Sequence, residues 1–281
     1  MTAYPGASMI HRALDLAAGT SERLLAPLAR WSEAPAQSRV VTETAHRPWP
    51  LPPGSWLQAQ TWRDLLFAHW RVDAEALRGV VPPELPIDTF DGSAWLAVTP
   101  FEVTGLRLRG TWPPPRLSRF PETNVRTYTS VEDKPGIYFF SLDAASRLAV
   151  LGARRTYRLP YFHARMSIER SGSEVSYASR RTTGEASLRA RYRPVRAPSR
   201  PRPATLEHFL TERYCLYTVD ERRRVHRAEI HHPPWELQRA RAELEVNTMA
   251  APLGFELAPE EALLHFSARQ DVVIWPPQPV A

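Results

Sequence analysis

Strict alternation of polar and apolar side chains predicts β-strands through the middle of this chain. Residues 124–131 alternate cleanly, so Asn124, Arg126 and Tyr128 share one face of a strand. A second apolar run, residues 137–142, follows across a short turn. The two runs therefore predict a hairpin.

Further runs extend this sheet. His163–Glu169 and Val175–Arg181 flank a Ser-Gly-Ser turn and predict a second hairpin, and Asp91-Gly92 is a strong turn signal before another strand. The other strand-like runs are residues 94–103, 188–192, 214–219, 225–230 and 263–275.

Helical spacing is confined to short segments. A helix is predicted over residues 73–81, another over residues 144–153 with Asp143 as its cap, another from Thr205, and another over residues 234–244 with proline in its first turn. Strands outnumber helices, and short turns join neighbouring strands. The chain therefore predicts an α+β fold with a mainly antiparallel sheet, arranged as a closed or half-open barrel with peripheral helices.

Residues 1–58 differ from the rest of the chain. Apolar residues between Met9 and Leu28 recur at near-helical spacing, and a proline-rich stretch follows from Pro35 to Pro53. We expect an N-terminal helical extension with an extended linker over residues 1–58, packed on the barrel or on a partner. A membrane-surface helix would need a denser basic face.

The net charge of +6 and the pI near 9.8 raise nucleic acid or an anionic surface as partners. One local excess, from Arg189 to Arg202, contains no acidic residue. Its first arginines share a strand face, which suits phosphate contacts and equally suits a charged sheet edge. Because the other basic residues are scattered among acids, we expect no nucleic-acid partner.

Other features of the sequence indicate the cellular compartment and exclude several classes of chemistry. Cys215 is the one cysteine and the chain has no apolar run long enough to span a bilayer, so we expect a cytoplasmic protein without disulfides. Glycine-rich phosphate loops, the G-x-S-x-G elbow and H-E-x-x-H are absent from the sequence. We therefore expect no cofactor and no metal, although Glu229 and His231 offer an alternative metal pair near His226.

Two polar strand faces are the candidate ligand sites. One carries Asn124, Arg126 and Tyr128, and the other carries His163 and Arg165. Guanidinium groups bind carboxylates bidentately and imidazole moves protons near neutral pH, provided that these faces line the interior. If they face outward, they are ordinary strand surface. Further donors, among them Tyr157, lie nearby in sequence.

Lys134 is the only lysine among the 36 basic residues. A lysine that forms a Schiff base must have its amine in a dry pocket or beside another cation. Lys134 instead occupies the turn before Pro135-Gly136, and turns lie on the surface. We therefore expect a solvated side chain.

Seven segments resemble the YqjF-like family of bacterial proteins, also called domain of unknown function 2071. In chain order they are WRDLLFAHW from Trp62, VPPELPIDTFDGSAWLAVTPFEV from Val81, FPETNVRTY from Phe120, PGIYFFSLDA from Pro135, LPYFHARM from Leu159, LEHFLTERYCLYT from Leu206 and HHPPWELQ from His231. The resemblance covers residues 60–275 and leaves the N-terminal extension outside, so the barrel domain is placed at residues 59–281.

The family is similar to acetoacetate decarboxylase in fold, which implies a cone-like antiparallel barrel with flanking helices and an interior cavity. Acetoacetate decarboxylase works through a buried lysine, and no lysine of this chain matches that motif. Fold alone does not confer that function.

Together these observations predict a cavity that binds a small organic acid or carbonyl compound without Schiff-base chemistry. Arg126 and Arg165 are the expected carboxylate clamps, and His163 or Glu122 the expected acid or base. The alternative is a ligand-binding or protein-interaction module without turnover. Either function is compatible with a homo-oligomer.

Overall fold

The computed structural model describes residues 33–114 and 118–280. Its strands are β1 (Gln58–Val72), β2 (Ala94–Leu108), β3 (Phe120–Val131), β4 (Lys134–Ala144), β5 (Tyr161–Ser171), β6 (Glu174–Arg181), β7 (Ser187–Pro194), β8 (Cys215–Val219), β9 (Val225–His231), β10 (Gln238–Asn247), β11 (Leu263–Ile274) and β12 (Gln278–Pro279). Its α-helices are α1 (Ala34–Arg39), α2 (Ala74–Arg78), α3 (Arg147–Tyr157) and α4 (Leu206–Thr211). Short 3-10 helices cover Val40–Thr42, Ala251–Leu253 and Pro259–Glu261.

All strands belong to one sheet in the order β12-β9-β8-β4-β3-β2-β1-β11-β10-β7-β6-β5. Additional pairings of β9 with β11 and of β4 with β5 close this sheet on itself. Strands β4, β3, β2, β1, β11, β9 and β8 thereby form a ring around an interior. Only the β4–β5 and β4–β8 pairs are parallel among the described strands. The predicted antiparallel barrel is confirmed.

Both predicted hairpins form where the turn residues permit them. Strands β3 and β4 join through Glu132 and Asp133, which adopt φ values of 54° and 56°. Strands β5 and β6 join around Gly172, with φ of 59°. The turn at Asp91-Gly92 precedes β2 as predicted. Positive φ angles at these positions are typical of tight hairpin turns.

The predicted helix over residues 234–244 is wrong, because this region contains strand β10. Along β10, half-buried residues alternate with exposed ones such as Arg241 and Glu243. Pairing with β7 and β11 overrides the helix propensity of its Ala, Arg, Glu and Leu residues. The period-two pattern was already present in the sequence.

Asp143 does not cap a helix. It lies within β4, fully buried, and its carboxylate accepts hydrogen bonds from Arg181 Nε and Nη2, the latter at 2.7 Å. The helix that follows begins at Arg147 instead. A buried guanidinium outcompetes a capping role here, since a buried carboxylate needs a charged partner.

Residues 33–57, predicted as part of a linker, pack against the barrel. Gln37 is buried, and its Nε2 donates to Thr61 Oγ1 and to the Gly105 carbonyl oxygen, both at 3.1 Å. Gly105 adopts φ of 61°, and a Cβ there would lie 2.8 Å from this amide nitrogen, so a larger residue would strain the backbone and displace the Gln37 side chain. The predicted helical segment between Met9 and Leu28 lies outside the described residues, and a boundary at residue 58 stays a prediction.

Aromatic side chains fill one end of the ring. Phe67 packs edge-on against Trp235 with ring centroids 4.9 Å apart, and Tyr128 is fully buried beside them. The ring interior beyond this cluster is open and forms the cavity described below. In the part of the chain that the structure describes, no helix is long and apolar enough to cross a membrane.

Candidate ligand cavity

A cavity of about 50 Å³ lies inside the ring. A single water needs roughly 10–15 Å³ on this scale, so a few waters or one short organic molecule fit. Its walls are formed by Gln58, Gln60, Trp62, Leu65, Thr99, Phe101, Glu122, Asn124, Arg126, Ile137, Phe139, Leu142, Tyr157, Leu159, Tyr161, Leu216, Ile230 and Ile274. Apolar walls with a few converging polar groups are typical of small-molecule sites.

Strand β3 supplies a row of polar side chains to this cavity. Glu122, Asn124 and Arg126 all line it and are all buried. Alternation along the strand places them on one face, and β2 and β4 on either side hold that face inward. Sequence alternation placed Asn124 and Arg126 on one face, and both line the cavity; Glu122 was not part of that predicted face.

Glu122 is buried, and its carboxyl holds a proton more strongly than an exposed glutamate does. Burial away from water, with a smaller contribution from the nearby Asp143 carboxylate, raises the pKa of Glu122 to about 8. The Tyr161 hydroxyl opposes this by donating to Glu122 Oε2 at 2.9 Å. The protonated carboxyl can donate a hydrogen bond to a ligand oxygen, and its ionised form can accept a proton.

Arg126 is a buried cation without an acidic partner among the described residues. Its guanidinium lies over the Phe67 ring, 5.2 Å from the centroid, and its Nε has no hydrogen-bond partner. Two other buried arginines, Arg181 and Arg213, pair with Asp143 and Asp88. Because an unpaired buried charge is costly, the surroundings of Arg126 favour a negatively charged group in the cavity.

Tyr128, predicted to bind ligand, lies behind Arg126 and outside the cavity lining. Its hydroxyl shares a 2.7 Å hydrogen bond with His69 Nε2. Burial lowers the pKa of His69 well below its usual value, and the nearby Arg126 and His265 add to this effect. A neutral His69–Tyr128 pair therefore supports the charged residue without compensating its charge.

The tyrosines at the cavity wall come from α3 and β5. Tyr157, predicted from sequence, ends α3, and its buried hydroxyl has no partner among the described residues. Tyr161, Thr99 and Gln60 were missed. Thr99 and Gln60 lie in strand-like runs without a distinct polar face, and Tyr161 precedes the polar face of His163 and Arg165.

His163 and Arg165 lie outside the cavity lining. Arg165 is exposed and borders a surface groove together with Arg180, while His163 is half-buried. Strand β5 pairs with β4 only as far as His163 and then runs along β6. The geometry therefore gives no support to the predicted clamp and proton-transfer roles of these two residues.

Lys134 also lies outside the cavity lining. Its side chain is about one-third exposed, with Nζ 3.9 Å from Glu229 Oε1 and 5.8 Å from the Trp49 ring centroid. The amine thus lies at the surface, but it is partly covered, and Lys134 begins strand β4 instead of occupying the preceding turn as predicted. It borders an outer groove formed with the N-terminal segment.

The histidines near the end of β9 bond to backbone carbonyls. His231 Nε2 lies 2.9 Å from the Val40 oxygen, and His232 Nδ1 lies 2.8 Å from the Pro233 oxygen. Burial lowers the pKa of His231 to about 4. Glu229 is engaged by Arg47 and by Trp49 Nε1. Across residues 33–114 and 118–280, no cluster of three or more His, Cys, Asp or Glu side chains is placed to hold a metal.

The arginines of β7 face acids across the sheet. Arg191 NH2 lies 2.9 Å from Glu243 Oε2, and Arg189 NH1 lies 3.7 Å from Glu245 Oε2. Strand β10 supplies both acids. The basic run is therefore partly neutralised by its neighbour.

Residues 59–271 match the family DUF2071, described as an uncharacterised conserved protein. The chain belongs to this family. It is 48% identical over 227 residues to the uncharacterised protein YqjF of Bacillus subtilis, covering 80% of this chain and 93% of that protein. The family membership expected from the sequence is confirmed.

Solved structures share the fold at low sequence identity. The enduracididine biosynthesis enzyme MppR complexed with pyruvate is 14% identical, with a TM-score of 0.58 over 85% of this chain and 94% of that one. Acetoacetate decarboxylase from Legionella pneumophila is 12% identical, with a TM-score of 0.53 over 86% of this chain and 95% of that one. These likenesses show an acetoacetate decarboxylase-like fold.

Proposed function

We propose that the cavity binds a small organic acid or carbonyl compound. The observation that carries this proposal is Arg126, a buried guanidinium that faces the cavity with no acidic partner among the described residues. A ligand carboxylate would supply the missing counterion through charge-assisted hydrogen bonds. The apolar walls would hold the carbon skeleton.

Glu122 gives this site a group for acid–base work. In its protonated form it would donate to a carbonyl oxygen, and in its ionised form it would take a proton from the ligand. Schiff-base chemistry is not part of the proposal, since Lys134 lies outside the cavity lining. Pyruvate, which the structural neighbour MppR binds, belongs to the same class of compound and is a suitable first probe.

Isothermal titration calorimetry tests the proposal with acetate, propionate, pyruvate and lactate, each beside its amide. We expect the acids to bind and the uncharged amides to bind at least tenfold more weakly. Arg126→Met should weaken acid binding by about tenfold or more, since hydrogen bonds to charged groups contribute roughly 1.5–3 kcal/mol.

Arg165→Met is the matched control, because it removes an exposed arginine from a comparable strand face and should leave binding unchanged. Acid binding that survives Arg126→Met, or amides that bind as tightly as acids, would contradict the proposal.

A further inference from the structure

Thr99 and Asn124 stand opposite each other in the cavity wall. They are direct partners in the β2–β3 register, and both are buried. Thr99 Oγ1 and Asn124 Oδ1 have no hydrogen-bond partner among the described residues. Both residues line the cavity, so these atoms form a second polar point beside Arg126.

The chemistry of this pair restricts what can satisfy it. An amide oxygen only accepts hydrogen bonds, whereas a threonine hydroxyl both donates and accepts. A carboxylate or a ketone oxygen brings no proton to donate to Asn124 Oδ1. A ligand hydroxyl meets both needs, because it can donate to Asn124 Oδ1 and accept from Thr99 Oγ1.

The neighbouring positions fit an acid that carries such a hydroxyl. Arg126 follows Asn124 on the same face of β3, and the residue opposite Arg126 on β2 is Ala97, which brings no polar group. Leu65 and Leu142 add apolar wall. A carboxylate at Arg126 and a hydroxyl at the Thr99–Asn124 pair would therefore belong to one short molecule.

We propose that the cavity selects short hydroxy acids, with the carboxylate on Arg126 and the hydroxyl between Thr99 and Asn124. This inference rests on the proposed function and names its ligand class. A site with buried polar groups discriminates strongly against analogues that leave those groups unpaired.

Calorimetric titrations of matched acids test this selectivity. Lactate, pyruvate and propionate differ only at the carbon next to the carboxylate, while glycolate with acetate, and 3-hydroxybutyrate with butyrate, extend the comparison to other lengths. We expect the hydroxy acid of at least one set to bind about tenfold or more tighter than its partners.

Thr99→Val and Asn124→Leu keep the side-chain shapes and remove the polar atoms, so each should abolish the preference while Arg126-dependent binding persists. Thr99→Ser keeps the hydroxyl and should retain the preference, which separates loss of the group from loss of the fold. Ser167→Val, on the face of β5 that carries Arg165, should change nothing.

Each alternative result is decisive. If oxo acids or unsubstituted acids bind as tightly as hydroxy acids in every set, and binding still depends on Arg126, the hydroxyl inference is overturned and the proposed function survives. If no acid binds in an Arg126-dependent manner, the proposed function fails and this inference fails with it.

Discussion

Strands β3 and β5 carry nearly the same sequence pattern and end in different surroundings. On β3, Asn124 and Arg126 alternate with small or apolar residues, and on β5, His163 and Arg165 do the same. The β3 row is buried and faces the cavity, whereas Arg165 on β5 is exposed. Alternation thus identifies a polar face without telling which side of the sheet is enclosed.

The partner strands make the difference. Strand β3 lies between β2 and β4 from Glu122 to Thr127, so the face that carries Glu122, Asn124 and Arg126 points into the ring. Strand β5 contributes Tyr161 to the cavity, pairs with β4 for a short stretch, and continues along β6 outside it. The strand pairings that close the ring therefore determine that Arg126 is buried while Arg165 is exposed.

The largest expected effect is on the pH dependence of the free energy of unfolding, and it appears when Glu122 is compared with the exposed Glu169 of β5. The pKa of Glu122 is raised from its ordinary 4.5 to about 8. At a pH between these two values, the folded protein therefore retains a proton that the unfolded chain has released. The free energy of unfolding should therefore fall as the pH rises through this window. Glu122→Gln should reduce that fall by roughly 3 to 5 kcal/mol, since one pKa unit corresponds to about 1.4 kcal/mol.

Urea denaturation at several values between about pH 5 and pH 9 measures this difference. Asp143, beside Glu122 and paired with Arg181, is present in both proteins, so the comparison isolates Glu122. Glu169→Gln should follow the wild-type curve. A Glu122→Gln curve parallel to the wild type would mean that Glu122 is ionised in the folded protein.

The second comparison concerns the two arginines themselves. Arg126→Met replaces a buried cation that lacks an acidic partner among the described residues with an apolar side chain of similar length. We expect the free energy of unfolding to rise by about 1–3 kcal/mol in the absence of ligand, because the cost of burying the charge disappears. Arg165→Met should change it by less than about 0.5 kcal/mol.

Thermal denaturation without added acids measures both variants. Marked destabilisation by Arg126→Met would show that the guanidinium is held by interactions within the protein, which would weaken its assignment as an anion anchor. Equal gains from both substitutions would remove the contrast between the two strands.

Much of the fold could be predicted from the sequence, because turn signals such as Asp91-Gly92 and alternating runs depend on local conformational preferences. The helix predicted over residues 234–244 was wrong because residues of high helix propensity there pair with the neighbouring strands β7 and β11. Asp143 was misassigned because its partner, Arg181, is distant in sequence.

The candidate site was partly predictable for the same reason. Alternation on β3 grouped Asn124 and Arg126, which both line the cavity, but it also included Tyr128, which lies outside the lining, and it left out Glu122. Thr99 and Tyr161 join them only through strand pairing and ring closure, which no local pattern reveals.

The smallest expected effect is the change in stability when Lys134, the residue that carries the side-chain amine, is replaced. Lys134 lies outside the cavity lining, where its Nζ contacts Glu229 and the Trp49 ring, so it resembles the outer β5 row more than the inner β3 row. Lys134→Arg preserves this charge and should alter stability by less than about 0.5 kcal/mol, since a partly exposed ion pair contributes little. Acid binding should not change.

Because Lys134 is the only lysine of the chain, borohydride treatment in the presence of oxo acids gives an unambiguous reading by mass spectrometry of its peptide. We expect no adduct at Lys134, since an amine at the surface beside a carboxylate lacks the dry surroundings that activate a nucleophilic lysine. Stoichiometric trapping at Lys134 that is lost in Lys134→Arg would contradict this expectation. It would place the reactive group in the outer groove instead of on the cavity-facing residues of β3.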